Sequence, residues 1–180
     1  MTTTDTPGTT AAASFRYEPL PIEPAVLAGL RTTDDAGRPS RPFTDDEGGA
    51  PLRCCLRRSS PGESIALVSY APLRRWAAAT GAEPGAYDEQ GPVFIHAVEC
   101  GGPSAASTGA GYPFVHPDAP RVLRRYDDRG RIKGGRLLEP ADAPDAGFEA
   151  ALDEAFGDPA VALVHVRAVE YGCFLFELRR

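Results

Sequence analysis

At 180 residues the chain fits one domain, or one domain with a tail. Its 19 glycines and 18 prolines are many for a globular protein yet short of a low-complexity composition. A net charge of −6 speaks against a nucleic-acid partner, which needs cations set against phosphate. No apolar run approaches the length of a membrane span, and residues 1–14 lack the basic start and apolar stretch of a signal peptide. The expectation is a cytoplasmic protein with neither nucleic acid nor membrane as partner.

Residues 1–14 are small and polar and cannot repay the entropy of ordering, so they read as a disordered tail ahead of a single domain over 15–180. Phe15 to Tyr17 reads as a short edge strand. Pro24 suits the first turn of a helix, and Ile22, Val26, Leu27 and Leu30 follow at near-helical spacing, which predicts a helix over about 24–31. Residues 32–50 carry Asp, Gly and Pro in the density of a solvated loop. Leu52 to Arg57 reads as a strand, turned by Ser60-Pro61-Gly62 into a second strand over 64–70, the two making an antiparallel hairpin. Two glycines and a proline in 71–90 favour a loop there.

Val93 to Val98 predicts a strand. Gly101 to Gly111, almost wholly Gly, Ser, Ala and Thr, predicts a flexible segment. Val122 to Tyr126 and Arg131 to Leu138 make a hairpin about Asp127-Asp128-Arg129-Gly130, with Gly134-Gly135 suggesting a bulge. The clearest helix follows: Asp142 as cap, Pro144 in the first turn, Phe148, Ala151, Leu152, Ala155 and Phe156 on one face, Gly157 at the end. Val161 to Val169 and Cys173 to Leu178 form a last hairpin, apolar on both faces and so expected centrally in a sheet. The sum is an α+β fold: a mostly antiparallel sheet of about eight short strands with two packed helices.

Between Arg121 and Arg136 stand seven basic residues against two acids, and Glu139 to Asp158 holds seven acids and no base. Pairing of hairpin arginines with helix acids is the simpler account; an anion-binding face is the sharper one, since arginine grips carboxylate or phosphate with two prongs.

The four cysteines, Cys54, Cys55, Cys100 and Cys173, form no CxxC or CxxxC pair, and no glycine-rich phosphate loop or dinucleotide fingerprint is present, so no nucleotide cofactor is indicated. On a strand Cys54 and Cys55 point to opposite faces, so at most one reaches a given site, and free cysteine commonly packs as a small hydrophobe. Cys100, beside two glycines, reads as incidental. His96 and His165 each sit in an otherwise apolar strand, and either alone reads first as a satisfied core histidine.

Their combination with sulfur is more suggestive. If the last hairpin has a three-residue loop, Arg167, Cys173 and His165 share a face; if it has four, Ala168 pairs with Cys173 and the thiol turns away. The first register opens two chemistries. One is a thiol activated by imidazole and guanidinium. The other is a transition metal held by thiolate with His96 and His165. The candidate catalytic residues are Cys55, His96, His165 and Cys173. Arg53, Arg167 and His116 are candidates for binding a small anionic substrate, with His116 on a lid beside the flexible segment. The rival reading is a non-catalytic ligand-binding or interaction module.

Several separated motifs carry a resemblance. They are Pro-Leu-Arg-Cys-Cys-Leu-Arg at 51–57, Pro-Gly-Glu at 61–63, Gly-Pro-Val-Phe-Ile-His at 91–96, Leu-Arg-Arg-Tyr-Asp at 123–127, His-Val-Arg at 165–167 and Tyr-Gly-Cys-Phe at 171–174. In this order the chain resembles a small bacterial family catalogued as domain of unknown function 1203, over about residues 15–179. The family pattern often places a Cys where this chain has Leu52 and a His where it has Cys54, so the resemblance implies that potential ligands have been exchanged there. It implies a bacterial, single-domain protein and no particular reaction.

Overall fold

The computed structural model describes residues 16–104, 111–116, 118–139 and 145–180. The expected tail over 1–14, Phe15, the middle of the Gly-Ser segment, and the capping residues Asp142 and Pro144 lie outside them. Within the described residues are three α-helices and nine strands in two mostly antiparallel sheets, an α+β fold. No described helix is long and apolar enough to cross a membrane.

The chain enters through Arg16 and Tyr17, which lie in a bend rather than a strand. Tyr17 stacks on Phe156 with ring centroids 4.9 Å apart, and its hydroxyl donates to Asp153. Pro19 and Pro21 have no N–H to give a ladder, so only Leu20 bridges, donating to the Glu177 carbonyl at 2.8 Å. Helix α1, Pro24–Leu30, starts at its proline and buries Leu27 and Leu30. The acidic loop that follows contains one strand the composition hides, β1, Pro42–Asp45, exposed along most of its length at a sheet edge.

The stretch expected as one strand over 52–57 is instead two two-residue strands about a tight turn. β2, Pro51–Leu52, and β3, Arg57–Arg58, pair antiparallel, and Leu56 N–H donates to the Leu52 carbonyl at 2.9 Å across the turn. Leu56 closes it with φ +56°. The expected hairpin with the next strand is absent too: β4, Glu63–Tyr70, pairs with β1 on one side and with β5, Gly91–His96, on the other. β2 runs parallel to β5, with Leu52 opposite Phe94, giving a five-stranded sheet in the order β1-β4-β5-β2-β3.

Residues 71–90, expected as a loop, hold helix α2, Pro72–Thr80, and a short 3-10 turn, Gly85–Tyr87. Pro72 begins α2 and Gly81 ends it in the left-handed region at φ +76°, so the punctuation marks the ends of a helix rather than its absence. Leu73, Trp76 and Ala77 pack against Tyr126 and Leu163.

The second sheet has the order β7-β6-β8-β9. β6, Arg121–Tyr126, and β7, Ile132–Leu138, form the expected hairpin; Arg125 pairs with Gly134 and Tyr126 with Ile132, leaving Lys133 as the bulged residue. Helix α3, Asp145–Gly157, buries Phe148, Ala151, Leu152, Ala155 and Phe156, as its spacing predicts. They meet Leu123, Val164, Val166, Phe176 and Leu178 of the sheet. β8, Leu163–Ala168, is central; β9, Phe174–Arg179, stands at the edge, covered by the Leu20 bridge, and its Phe174 packs with Ile22 and Tyr70 in the core of the other sheet.

Candidate metal centre

The turn between β2 and β3 overturns the expectation that its two cysteines diverge. A strand alternates its side chains, but one tight turn closed by a left-handed residue sends consecutive side chains to the same side. Cys54 Sγ and Cys55 Sγ lie 3.9 Å apart, and both are buried. His96, last residue of β5, donates its backbone N–H to Cys54 Sγ at 3.3 Å. Its Nδ1 lies 3.3 Å from Cys54 Sγ and 3.7 Å from Cys55 Sγ. Cys100 arrives four residues on, and the donor atoms of Cys54, Cys55, His96 and Cys100 all lie within 4.8 Å of one another.

These separations can be compared with a metal shell. With zinc–sulfur bonds of about 2.3 Å and zinc–nitrogen bonds of about 2.0 Å, a tetrahedron puts two sulfurs about 3.8 Å apart and sulfur and nitrogen about 3.5 Å apart. The three buried donors already stand at those spacings.

The far side of the imidazole is also furnished. His96 Nε2 lies 3.5 Å from Glu63 Oε2 and 3.2 Å from Arg57 Nη2. Arg57 donates to both Glu63 oxygens, at 2.9 and 2.6 Å, and Ser60 N–H donates to Oε2 at 2.9 Å. When Nε2 carries the proton, Glu63 accepts it and the Nδ1 lone pair faces the sulfurs, the carboxylate–histidine arrangement common behind metal ligands. When Arg57 donates to Nε2 instead, Nδ1 carries the proton toward the sulfurs.

Burial and hydrogen bonding shift the sulfur groups in opposite senses. The hydrogen bond from Cys54 to Cys55, with burial added, pushes the Cys54 thiol up and the same bond holds Cys55 below its usual value. Burial raises Cys100 and lowers His96, so the imidazole is neutral at neutral pH. Arg57 holds Glu63 down to about 2. Arg31 Nε donates to the His96 carbonyl at 3.2 Å. A cavity of about 440 Å³, bordered by Arg31, Cys54 and Cys100, leads from the cluster toward solvent.

The other expected residues do not join it. His165 is buried in β8, its Nε2 3.0 Å from Glu177 Oε2 and its ring against Tyr126 and Phe174. Its Nδ1 has no partner among the described residues. The last hairpin takes the four-residue loop: Ala168 N–H donates to the Cys173 carbonyl at 2.9 Å, so Cys173 is turned away from His165. Cys173 lines a cavity between the sheets instead, with Arg53. Arg167 donates to the Gly172 carbonyl and to Glu89, each at 3.0 Å. His116 caps a local turn, accepting Asp118 N–H at Nδ1.

The basic hairpin follows the simpler account in part. Arg136 pairs with Glu154 of α3 and Arg124 with Glu89, whereas Arg121 is buried and turns inward. Sequence reasoning missed Cys54, Cys100, Glu63 and Arg57 as parts of one cluster. The available signal was an adjacent cysteine pair together with the four-residue step from His96 to Cys100.

An α+β domain carrying a buried Cys/His cluster is the class these features define. Residues 49–180 match the model of a family described as Protein of unknown function (DUF1203), and the chain belongs to that family. The match covers all four cluster residues and the whole second sheet, and it leaves α1 and β1 outside, a shorter span than the motifs suggested. Neither the curated proteins nor the solved structures contain a match to the chain.

Proposed function

We propose that the protein binds one soft transition-metal ion, zinc by preference, through Cys54, Cys55, His96 and Cys100. The observation that carries this reading is the convergence of three sulfurs and one imidazole nitrogen within 4.8 Å, with a carboxylate behind the imidazole. Thiolate and imidazole are the donors that soft and borderline ions select, and four protein donors complete a tetrahedral shell of the structural kind. The ion's part is to hold the β2–β3 turn against the end of β5. Three thiolates around a divalent ion leave one net negative charge, which Arg31 and Arg57 flank.

Elemental analysis of the purified chain, combined with iodoacetamide mapping, tests it. One equivalent of zinc, with Cys54 and Cys55 alkylated only after chelation, is the expected result. Metal-free protein in which Cys55 alkylates at once would instead favour the thiol-nucleophile chemistry weighed from the sequence.

A further inference from the structure

A cavity of about 610 Å³ separates the two sheets, within the size range of small-molecule sites. Two buried guanidinium groups border it. Arg53, 2% exposed, donates from Nε and Nη2 to the Phe174 carbonyl, at 2.9 and 2.6 Å, and from Nη1 to the Pro51 carbonyl. Those bonds use three of its five N–H groups, all on neutral acceptors, and no carboxylate among the described residues pairs with it. Its guanidinium lies 6.0 Å from the Phe114 ring centroid. Arg121, 4% exposed, donates from Nε and Nη2 to the Phe114 carbonyl, at 3.3 and 2.8 Å, and from Nη1 to the Ala119 and Pro120 carbonyls, and its charged partner is the half-exposed Glu170 at 3.3 Å.

Counting Arg58 at the rim, the lining sets three cations against one carboxylate. The walls are otherwise apolar, built from Phe94, Phe114 and Leu175. Leu67 and Tyr171, 51% and 83% exposed, also line the cavity. A buried cation with neutral partners is stabilised by an anion that reaches it, and these walls suit an anion with a hydrophobic body better than one hydrated all round.

We propose that the inter-sheet cavity binds a small organic carboxylate, its charge meeting Arg53 and Arg121 and its apolar body lying on Phe94, Phe114 and Leu175. This site adjoins the metal centre through Arg53 but uses none of its four donors, and its failure would leave that reading untouched. Cys173, in the cavity wall, serves as a reporter.

Titration of the full chain with 3-phenylpropionate, and with 3-phenyl-1-propanol as its uncharged counterpart, tests the proposal by calorimetry and by mass-spectrometric mapping of Cys173 alkylation. The carboxylate is expected to bind saturably, to slow alkylation of Cys173, and to bind about tenfold more tightly than the alcohol, the usual scale for a charged hydrogen bond. Arg53→Met should remove that preference. Because that variant also loses the bonds to Phe174, Leu67→Glu supplies a second probe on an exposed position. It should weaken the carboxylate about tenfold more than it weakens the alcohol, by like-charge repulsion. Equal binding of carboxylate and alcohol, binding of neither, full competition by inorganic phosphate, or indifference to Leu67→Glu would each overturn the proposal.

Discussion

Four consecutive residues in the β2–β3 turn serve three surroundings. Arg53 reaches across to the Phe174 carbonyl of the second sheet, Cys54 and Cys55 face His96, and Leu56 is buried among Tyr112, Phe114 and Leu123 in the core under α3. A left-handed backbone at a leucine costs on the order of 1–2 kcal/mol, so Leu56 holds φ +56° only because its burial offsets that cost. This single conformation brings the sulfurs of an adjacent pair of cysteines to one side, 3.9 Å apart. In the proposed metal centre Glu63 would act one step further out, by accepting the proton when His96 Nε2 carries it. Glu63→Gln keeps the size of the side chain while removing the negative acceptor, and should weaken zinc affinity about 10–100-fold in competition with a chromophoric chelator, with the zinc stoichiometry unchanged at saturation. Unaltered affinity would show that Glu63 belongs to the Arg57 ion pair alone.

The elements differ in how openly the sequence announces them. Helix α3 and the last two strands show in plain periodicity, because each buries a broad apolar face: Phe148, Leu152 and Phe156 on the helix, and Val164, Val166, Phe176 and Leu178 on the strands. The β2–β3 turn was hidden because Leu52, Cys54, Cys55 and Leu56 are apolar residues that a strand would also use, and no glycine marks the reversal. α2 was hidden by the opposite fault, since Gly81 and Pro84 look like a loop when only one of them ends a helix. The cluster therefore escaped notice: the composition showed the sulfurs, but their convergence depends on a turn that local propensity does not display.

The hairpin register, by contrast, was reduced to two possibilities; the loop has four residues, and a register shift past Leu175 restores the other pairing along the strands, so His165 pairs with Glu177. Burial lowers the folded-state pKa of His165 below its ordinary 6.5, even with a carboxylate beside it. The unfolded chain then binds a proton that the folded chain refuses, so stability falls as pH drops below about 6.5. Glu177, also lowered, adds its own loss only at more acid pH, below about 4.5. Urea midpoints measured between pH 7 and pH 5 should decline for the native chain and less steeply for His165→Gln. Parallel slopes would mean that the two states of the chain take up protons equally at this position.

At the scale of the molecule, two sheets of different make-up lie against each other. The second sheet carries its own helix and a dense apolar core, while the five-stranded sheet ends in two strands of two residues each, too short to hold a turn in place by ladder bonds alone. A metal ion at Cys54, Cys55, His96 and Cys100 would supply that missing constraint, fastening the turn to β5 and, through Arg53, keeping one wall of the inter-sheet cavity in position. Zinc-edge X-ray absorption on the purified, zinc-loaded chain reads the shell directly. Three sulfurs at about 2.3 Å and one nitrogen at about 2.0 Å are expected. A first shell of oxygen and nitrogen without sulfur would contradict the assignment.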